Sequence, residues 1–489
     1  MRCFGFAQYA FSKGCRISFV TNIHEDSFFE KLALKEGFNF YRIKTSHPHP
    51  DDFNSLMEIV TSDANQLVWV IADGYHLNEE YQKKLKDCDV RLMVIDDNAH
   101  LLKYHTNILL NPNAHAVTLP YQTLPHTVKL LGPKFLLFRK SFLTHFSSER
   151  NISPIANKIL ISMGGSDPVN LTSKVIEAIK LIQDDSIEVR VVVGPFCRNA
   201  ETIERSAATC RQNVKILKNP PDFAEIIGWA DIGVTTAGTS CWEMCLLGLP
   251  LITVTAAENQ KQVGELLDRD RLSHHLGWYQ DIDAKQIALS ITDLLKSRPQ
   301  RHTFSINQRN LVDGKGAERV LALIEILTLK KLPESVKRIR IANPEDCIPL
   351  WELTNDPLVR KNSITNHWIP YDEHLGWYQD KMTSDRTQIY ILEIASVFAG
   401  QIRYDLRDNY ADLSFSVAGP FRGMGLGYYL INNTWRKASR MLGAIGVHGI
   451  VQKNNLPSLQ IFTKAGFSTI GNKVIKGVEY SVFERLCEG

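Results

Sequence analysis

The stretch Arg422-Gly423-Met424-Gly425-Leu426-Gly427 decides how the C-terminal part of this chain is interpreted. Before it, Asp412 to Val417 alternates as a strand does, and after it Tyr428 to Ala438 has the pattern of a helix. Glycines at such a junction let backbone N–H groups close around a pyrophosphate, and the helix N-terminus adds a favourable dipole. The same glycines suit an ordinary tight turn, so the loop alone leaves both interpretations open.

A second motif follows downstream, where Val451 to Ser458 leads into a short helical segment. Together the two motifs resemble the GNAT acetyltransferase family, whose signature is Arg/Gln-x-x-Gly-x-Gly/Ala, then Asn-x-x-Ser and a closing Gly-Phe. The residues that match are Arg422, Gly425, Gly427, Asn455, Ser458, Gly466 and Phe467. The resemblance implies a GNAT α/β domain that uses acetyl-CoA as its cosubstrate.

The resemblance also implies roles for single residues. The residues implied to bind acetyl-CoA are Phe415, Val417, Arg422, Gly423, Gly425, Gly427 and Asn455. The family often has a tyrosine that protonates the leaving thiolate, but that position is Phe462 here, which leaves the acid open, with solvent as one source. Asp412 is a candidate catalytic base for the acceptor amine, although an acid on an exposed strand face is also typical of a merely solvated side chain.

Composition bounds the class of protein. At 489 residues, the chain is long enough for about three domains of ordinary size. A hydrophobic fraction of 44% and a formal net charge of +3 are typical of a soluble protein and give no reason to expect nucleic acid or membrane as a partner. No apolar run approaches the roughly 20 residues of a membrane-spanning helix, and the first residues lack a signal-peptide pattern. The scattered cysteines, odd in number, predict free thiols in a reducing cytoplasm and no metal site.

The order of strands and helices divides the chain into blocks. Residues 1–150 and 151–330 both alternate apolar strands with helices, which predicts two Rossmann-like domains facing across a cleft. Residues 331–336 are a predicted linker, and 337–489 hold the acetyltransferase signature. The predicted strands of the first two blocks are Ile17 to Thr21, Leu67 to Ala72, Arg91 to Ile95, Asn107 to Leu110, Lys158 to Met163, Glu188 to Val193, Val214 to Leu217, Ile232 to Thr235 and Leu251 to Val254.

The first block begins unusually for this architecture. Met1 to Lys13 has the pattern of a helix, with Gly14 as its C-cap, and leads directly into the strand near Thr21. The buried first strand expected of such a domain is therefore missing.

Two loops of the second block are candidate phosphate sites. Gly165 and Ser166 follow a predicted strand, and their amides suit a phosphate, but Ser166 or Asp167 is equally suited to cap the next helix.

The second loop, Gly238-Thr239-Ser240, is followed by Glu243 in the next helix. Its amides suit a diphosphate and Glu243 a ribose diol. The alternative is a capping box formed by Ser240 and Glu243, which the spacing alone favours.

The motifs of both blocks taken in order carry more information than any one of them. They are Ala72 to Tyr75, Ile95 to His100, Asn111 to Asn113, Leu131 to Phe135, Met163 to Asp167, Gly238 to Glu243 and Glu258 to Gln260. In this order they resemble the UDP-2,4-diacetamido-2,4,6-trideoxy-β-L-altropyranose hydrolases of pseudaminic acid biosynthesis. That family has the two-domain glycosyltransferase-B fold and releases UDP by attack of water with inversion.

The hydrolase resemblance implies four roles. Glu243 would bind the uridine ribose, and the loops at Gly165-Ser166 and Gly238-Thr239-Ser240 would lie near the nucleotide. Asn259 would face the reacting sugar, and Tyr75 would line the cleft, both as catalytic residues. For Asn259 the alternative is a turn residue that satisfies its own backbone.

The base that activates water is missing from this pattern. The family supplies it as a histidine in a Gly-His-x-x-Arg loop, and Met1-Arg2 aligns with the last two residues of that loop. Either the true start lies upstream, which we favour because the cleft motifs are intact, or the hydrolase half is inactive.

The two resemblances together predict a bifunctional enzyme. It would N-acetylate a UDP-4-amino sugar with acetyl-CoA and hydrolyse the UDP-diacetamido sugar to release UDP. Two alternatives remain: a glycosyltransferase fused to an acetyltransferase, and an acetyltransferase with a catalytically dead UDP-sugar-binding front half. The acceptor is expected near two segments, Asn355 to Ser363 and His374 to Trp377. The side chains of His367, Trp368, His374 and Trp377 either stack on a sugar or base or pack the fold.

Overall fold

The computed structural model describes residues 1–23, 27–62, 68–147 and 149–487, which separate into two compact units. The first unit comprises residues 1–122 and 130–318, and the second comprises 123–129 and 319–489. Within these described ranges, every helix is too short or too polar to cross a membrane.

Residues before 319 form α/β layers, as the alternation of strands and helices predicts. The strands are β1 (Ser18–Thr21), β2 (Asn39–Arg42), β3 (Trp69–Asp73), β4 (Arg91–Ile95), β5 (Ile108–Asn111), β6 (Val128–Leu131), β7 (Lys158–Ser162), β8 (Glu188–Val193), β9 (Asn213–Lys218), β10 (Ile232–Thr236), β11 (Leu251–Thr255) and β12 (Ser273–Trp278). The helices are α1 (Arg2–Ser12), α2 (Phe28–Lys35), α3 (Pro50–Thr61), α4 (Glu79–Asp87), α5 (Lys140–His145), α6 (Leu171–Leu181), α7 (Ala200–Ala207), α8 (Phe223–Trp229), α9 (Thr239–Leu246), α10 (Lys261–Arg269), α11 (Ala284–Lys296) and α12 (Arg298–Leu311), and α13 (Gly316–Leu329) runs across the boundary.

These strands form three sheets. β1 pairs in parallel with β2, and β3 to β6 form a second sheet in sequence order. The third sheet has the order β12-β11-β10-β7-β8-β9, with all neighbours parallel. Every residue of β10 and β11 is buried, as expected of central parallel strands with a layer on each face. The chain order reverses between β10 and β7, which is the switch point where open parallel sheets bind ligands.

The beginning of the chain is helical, as predicted. α1 ends at Ser12, and Gly14 adopts a left-handed φ of +88° just beyond it. Phe4 and Ala7 of α1 pack with Ala33 and Phe38 in a small apolar cluster. Three strands were not predicted, β2, β6 and β12, and their sequences explain the omission. β2 is largely exposed, β6 has a lysine among its four residues, and β12 contains two histidines and a glycine.

The second unit is built on one seven-stranded sheet. Its strands are β13 (Lys337–Ile341), β14 (Thr387–Ile394), β15 (Val397–Arg407), β16 (Tyr410–Val417), β17 (Gly446–Gln452), β18 (Ser468–Ile475) and β19 (Val478–Leu486). Its helices beyond α13 are α14 (Cys347–Thr354), α15 (Pro357–Lys361), α16 (Tyr371–Thr383), α17 (Leu426–Leu442) and α18 (Leu456–Lys464). The order is β13-β14-β15-β16-β17-β19-β18, in which β16 and β17 are parallel and the other neighbouring pairs antiparallel.

The two faces of this sheet differ. The rings of Phe415 and Phe462 pack together on the face that α17 and α18 cover. On the other face, α14 and α16 cover β14 through Ile389 and Ile391. This leaves part of the second face uncovered, and the residues of that part, here called the open face, are Tyr410, Asp412, Ser414, His448, Ile450 and Glu484.

Candidate nucleotide and cofactor sites

The two predicted phosphate loops of the first unit begin at adjacent positions. Ser162 at the end of β7 pairs with Thr235 near the end of β10, so both loops leave the sheet at the switch point. The predicted nucleotide residues Gly165 and Ser166 follow β7, and Gly238, Thr239 and Ser240 follow β10. The topology therefore brings together loops that are distant in sequence.

The loop after β10 leaves the start of α9 uncapped. The N-cap residue is Gly238, and no side chain of the described residues caps the helix. The capping box of Ser240 and Glu243 is therefore wrong as an interpretation of this loop, because the helix already begins at Thr239. Amides at an uncapped helix start are suited to an anion such as a diphosphate.

The loop after β7 is different, because a side chain does cap its helix. Asp167 accepts hydrogen bonds from the backbone N–H groups of Leu171 at 2.8 Å and Thr172 at 3.0 Å. The N-cap residue itself is Asn170, so neither Ser166 nor Asp167 occupies that position, although the Asp167 side chain bonds the first two amides of the helix. Gly165 and Ser166 themselves are exposed. A phosphate bound at this loop would have to use the amides of those two residues.

Glu243 lies in the first turns of α9, with a side chain that is one-fifth exposed. Burial raises the pKa of its carboxyl to about 7, against the opposing effect of Arg139, whose Nη2 lies 3.6 Å from Oε1. Arg139 stands just before α5, and its Nε is buried without a hydrogen-bond partner within the described part of the chain. The carboxyl group of Glu243 and the guanidinium of Arg139 thus lie side by side. The first is suited to a ribose diol and the second to a neighbouring phosphate.

Asn259 lies in a 3-10 turn, Glu258–Gln260, that follows β11. Its side chain is exposed and forms no hydrogen bond within the described ranges. Gln260 closes the turn instead, because its Oε1 accepts from the backbone N–H of Ala256 at 2.9 Å. A Cβ on Gly238 would lie 3.3 Å from Gln260 Nε2, so this turn adjoins the loop after β10. The alternative of Asn259 as the residue that satisfies its own turn is therefore wrong.

Tyr75 belongs to a charged network at the carboxyl ends of β3, β4 and β5. Its hydroxyl donates to Asp97 Oδ2 at 3.1 Å, and Asn113 Nδ2 donates to Asp97 Oδ1 at 2.8 Å. Arg2 Nη1 donates to both Asp97 oxygens at 2.8 Å, and its Nη2 donates to Asp73 Oδ1 at 2.7 Å. Burial and the charge of Asp97 raise the pKa of Tyr75, so the phenol stays neutral and donates.

Three groups near these loops had no assigned role in the sequence analysis. Asp97 lies within the motif Ile95 to His100. Its position just after a strand is the sequence feature that could have identified it as a site residue. His115 lies in a 3-10 turn, Ala114–Thr118, that packs against α10, and its Nδ1 is buried without a hydrogen-bond partner within the described ranges. Burial lowers the pKa of His115. Arg139 offered no sequence signal, because it reaches Glu243 only through the fold.

In the second unit, the glycine loop has the geometry of an anion cradle. Gly423 and Gly425 have φ of +78° and +76°, and Gly425 is the N-cap of α17, which has no side-chain cap. A Cβ on Gly427 would lie 2.8 Å from both the Phe415 ring and Ile461 Cδ1, so this position needs glycine for close packing. The loop combines left-handed glycines with the uncapped start of a long helix.

Arg422 directs its side chain into the protein. Its Nε donates to the backbone oxygen of Val417 at 2.9 Å, and its Nη2 lies 2.8 Å from Asp356 Oδ1. Asp356 in turn accepts from the N–H groups of Leu358 and Val359 at the start of α15. The Arg422 side chain therefore ties the glycine loop to the segment predicted to bind the acceptor.

β16 and β17 separate just before this loop. Their paired residues run from Tyr410 with Gly446 to Leu413 with Gly449, and pairing ends there. Beyond that point, β16 continues to Val417 paired with β15, and β17 continues paired with β19. The backbone of Phe415 and Val417 thus borders a wedge between two strands, where an extended thiol arm can hydrogen-bond as a strand would.

Two further residues discussed for the cofactor site, Asn455 and Phe462, lie at the start of α18 and within it. Asn455 is the N-cap of this helix and accepts from Ser458 N at 3.3 Å, so part of its side chain is used within the protein. The Phe462 ring packs over Gly449, stacks on Phe483 at 5.0 Å and is buried. It brings no hydroxyl to this position, so an acid for a leaving thiolate must come from elsewhere.

The predicted acceptor segment is held in place by polar side chains. Asn355 accepts from the N–H of Ile369 at 2.8 Å and donates to its oxygen at 3.0 Å. Arg360 Nε donates to the oxygen of Thr354 at 2.6 Å. Of the predicted stacking residues, Trp368 is 59% exposed, whereas His374 is buried and burial lowers its pKa to about 4. His374 therefore packs the fold, and Trp368 is free to meet a ligand.

Asp412 lies on the open face, one strand from His448. Arg407 Nε is 3.1 Å from Asp412 Oδ2, and Asp405 is its partner on β15. Burial raises the pKa of Asp412 despite the opposing charge of Arg407. Its cross-strand partner on β17 is His448.

Two family descriptions match the chain. The glycosyltransferase family 28 C-terminal domain matches residues 159–302, and the acetyltransferase (GNAT) domain matches residues 338–468. The chain therefore joins a glycosyltransferase-like domain to an acetyltransferase domain. The predicted fold class, two Rossmann-like domains of the glycosyltransferase-B type followed by a GNAT domain, is confirmed, and so is acetyl-CoA as the cosubstrate of the second.

Curated relatives are similar to different parts of the chain. An uncharacterized protein of Methanocaldococcus jannaschii is 24% identical over 91% of this chain and 90% of its own length. The spore coat polysaccharide biosynthesis protein SpsG of Bacillus subtilis is 24% identical over 40% of this chain, and the match spans 58% of that protein. The pseudaminic acid cytidylyltransferase and UDP-2,4-diacetamido-2,4,6-trideoxy-beta-L-altropyranose hydrolase of Helicobacter pylori is 20% identical over 60% of this chain, and the match spans 50% of that protein. The predicted resemblance to this pathway is thus confirmed as a distant similarity.

Proposed function

We propose that this chain acetylates the 4-amino group of a UDP-amino sugar with acetyl-CoA and then hydrolyses the UDP-diacetamido product to release UDP. The observation that carries the proposal is the presence, in one chain, of two uncapped helix starts that follow glycine loops. One is at Gly238 in a nucleotide-sugar type of domain, and the other is at Gly425 in an acetyltransferase domain.

Acetyl-CoA is proposed to bind across the glycine loop and the wedge. The amides of Gly423, Gly425 and Gly427 would hold the pyrophosphate at the N-terminus of α17, whereas the amide of Arg422 already donates to the Gly419 oxygen at 3.3 Å. The pantetheine arm would lie along Phe415 and Val417, with the thioester carbonyl polarised by backbone N–H. Asn455 would contact the cofactor with the part of its amide that the helix cap leaves unused.

The acceptor amine is proposed to reach the thioester over the open face. The face carries acidic groups, which attract an ammonium, and the exposed ring of Trp368, just beyond the acceptor segment Asn355 to Ser363, suits a sugar. The amine must lose a proton before it attacks. Asp412 is the candidate that the sequence offers for this step.

The front half is proposed to bind the UDP moiety at the switch point. The amides of Gly238, Thr239 and Ser240 would hold the diphosphate, with Glu243 on the ribose diol. The second loop, Gly165-Ser166, would lie beside them.

Asn259 and Tyr75 are proposed to contact the sugar from the two Rossmann-like domains, Tyr75 from residues 1–150 and Asn259 from residues 151–330. Asn259 supports this role through its exposed side chain, which has no hydrogen bond to any described residue, and Tyr75 through its position at the ends of β3, β4 and β5. UDP leaves readily because its charge spreads over a diphosphate already paired with amides.

A mass-spectrometric time course tests the proposal. The full chain is incubated with acetyl-CoA and the UDP-4-amino sugar, and the acetylated nucleotide sugar, UDP and free sugar are followed together. We expect acetylated UDP-sugar to form first and UDP to follow. No acetylated product would contradict the transferase step, and acetylation without UDP release would contradict the hydrolase step.

One alternative for the front half has its own support. Because the matched family is a glycosyltransferase family, transfer of the sugar to an acceptor other than water is a second candidate. A new glycoside in place of the free sugar, when cell extract supplies acceptors, would favour it. UDP-sugar binding without turnover would instead indicate a binding module.

A further inference from the structure

We propose that His448, oriented by Glu484 and Tyr410, is the general base that deprotonates the acceptor amine of the acetyltransferase domain. The inference rests on the proposed acetyl transfer and names a residue that lies outside every motif of the sequence analysis. It differs from the assignment to Asp412 because of what each side chain already contacts.

The contacts of His448 fix both its tautomer and its ring plane. Its Nε2 lies 3.2 Å from Glu484 Oε2, and since a carboxylate only accepts, Nε2 carries the hydrogen. The ring is stacked on Tyr410, with centroids 4.0 Å apart and planes 8° from parallel. The lone pair therefore resides on Nδ1, which has no hydrogen-bond partner within the described ranges.

The position of His448 in the strand places it at the mouth of the wedge. Gly449, the next residue, forms the last pair between β16 and β17, so the strands separate about one residue, or 3.3 Å, further along. His448 projects to the open face, because its neighbours Val447 and Gly449 are buried on the face that α18 covers. About a quarter of its side chain is exposed, so a substrate can reach it.

Asp412 is less suited to the same step. Its carboxylate is already paired with Arg407, and the acidic partner Asp405 lies across from it. By contrast, His448 offers an incoming amine the lone pair of Nδ1, which has no hydrogen-bond partner within the described ranges. Asp412 instead adds negative charge beside His448, which attracts the acceptor as an ammonium ion.

The proposed step balances in atoms and charge. The ammonium group gives one proton to His448 Nδ1, and the neutral amine attacks the thioester carbonyl carbon. The C–N bond forms as the C–S bond breaks, the second nitrogen proton passes through solvent to the thiolate, and His448 returns its proton to solvent. The products are the amide, free CoA and one proton.

The test compares matched variants of the full chain in steady-state acetylation of the UDP-4-amino sugar. His448→Gln keeps a donor for Glu484 but has no basic nitrogen, and we expect kcat to fall about 10²- to 10³-fold. CoA affinity, measured by calorimetry, should stay within about threefold of wild type. Glu484→Gln keeps the shape of the partner and should lower kcat about tenfold. Asp412→Asn should mainly raise KM for the amine.

A rescue experiment distinguishes a base from a structural residue. His448→Ala should regain at least about tenfold in kcat with added imidazole, because a small base can fill the space. A His448→Gln variant that keeps a third or more of the wild-type kcat, or one that loses activity without rescue of His448→Ala, would overturn the proposal. So would an Asp412→Asn variant that loses as much kcat as His448→Gln is expected to lose.

The choice of amine separates this inference from the proposed function. If the wild-type chain does not acetylate the UDP-4-amino sugar, the same variants are compared with whichever primary amine of a panel it does acetylate. If the sugar is not acetylated but another amine is, at a rate that depends on His448, the proposed substrate is contradicted and the proposal that His448 is the general base is supported. A wild-type chain that acetylates no amine of the panel would overturn both.

Discussion

Arg422 and Asp356 join the glycine loop of the acetyltransferase domain to its acceptor segment, with Nη2 of the arginine 2.8 Å from Oδ1 of the aspartate. The same Asp356 oxygen accepts from two backbone N–H groups at the start of α15, and Arg422 also donates to the Val417 oxygen. The Arg422–Asp356 contact therefore couples the order of the glycine loop to the order of the acceptor segment. A contact of this kind can make binding of one substrate favour binding of the other.

Asp356→Asn tests this link, because asparagine still caps α15 but has no charge for Arg422. We expect the Kd for CoA to rise about three- to tenfold, with the free energy of unfolding lowered by about 1 kcal/mol or less. Asp356→Ala should lose about 1 kcal/mol more, since the cap is lost too. Calorimetric titration with CoA and urea unfolding give the two quantities. CoA affinity unchanged in Asp356→Asn would show that the ion pair does not order the loop.

Gly427→Ala is expected to damage the cofactor site through packing. The added methyl group would lie 2.8 Å from both the Phe415 ring and Ile461, between the wedge and α18. Overpacking of this kind costs about 1–3 kcal/mol, and displacement of Phe415 should also weaken CoA binding. Thermal unfolding and CoA titration measure both effects.

Gly376→Ala in α16 is the matched control for this substitution. Among the residues that the structure describes, nothing lies within 4 Å of an added Cβ at that helical position. Alanine should stabilise the helix by about 0.5–1 kcal/mol. If Gly427→Ala and Gly376→Ala had the same effect on thermal stability and CoA affinity, close packing at Gly427 would not be the cause of the effect.

Local signals allowed much of the fold to be predicted from sequence. Strands such as Arg91–Ile95 and Glu188–Val193 have the predicted bounds, because apolar residues dominate each of them. The glycine loop before α17 was identified because left-handed backbone requires glycine at Gly423 and Gly425. β12, Ser273–Trp278, was missed because its histidines and glycine hide the strand pattern.

Contacts between distant segments lay beyond sequence reasoning. The wedge between β16 and β17 depends on where their register ends, which no local pattern encodes. Glu484 reaches His448 only because β19 pairs with β17, and Arg139 reaches Glu243 only through the packed core of the first unit. The capping box was wrong for a related reason: the helix begins at Thr239 rather than after Ser240, and spacing alone does not fix the first helical residue.

Asp97→Asn should destabilise the first unit. Asp97 accepts two hydrogen bonds from Arg2 and one each from Tyr75 and Asn113, and its side chain is four-fifths buried. Loss of the charge should lower the free energy of unfolding by about 1–2 kcal/mol. Urea unfolding at neutral pH measures the change.

The exposed pair between Glu80 and Lys84 provides the control for this prediction. The two charges are 2.9 Å apart on the surface of α4. Glu80→Gln should leave the free energy of unfolding nearly unchanged, because solvent screens exposed pairs. An Asp97→Asn variant no less stable than Glu80→Gln would mean that the network at the strand ends does not stabilise this unit.

Glu243 should make stability depend on pH in a direction opposite to that of most carboxyl groups. Burial raises its pKa to about 7 in the folded protein, so between the ordinary carboxyl range and pH 7 the folded state holds a proton that the unfolded state has lost. The resulting stabilisation is fully present at low pH and is lost as pH rises through about 7. Wild type should therefore lose, relative to Glu243→Gln, on the order of 1–3 kcal/mol between pH 5 and pH 8, measured by urea unfolding of both proteins. Arg139→Gln should move this loss to higher pH, because the guanidinium favours the carboxylate. Parallel pH profiles for wild type and Glu243→Gln would rule out a protonated Glu243 at the nucleotide loop.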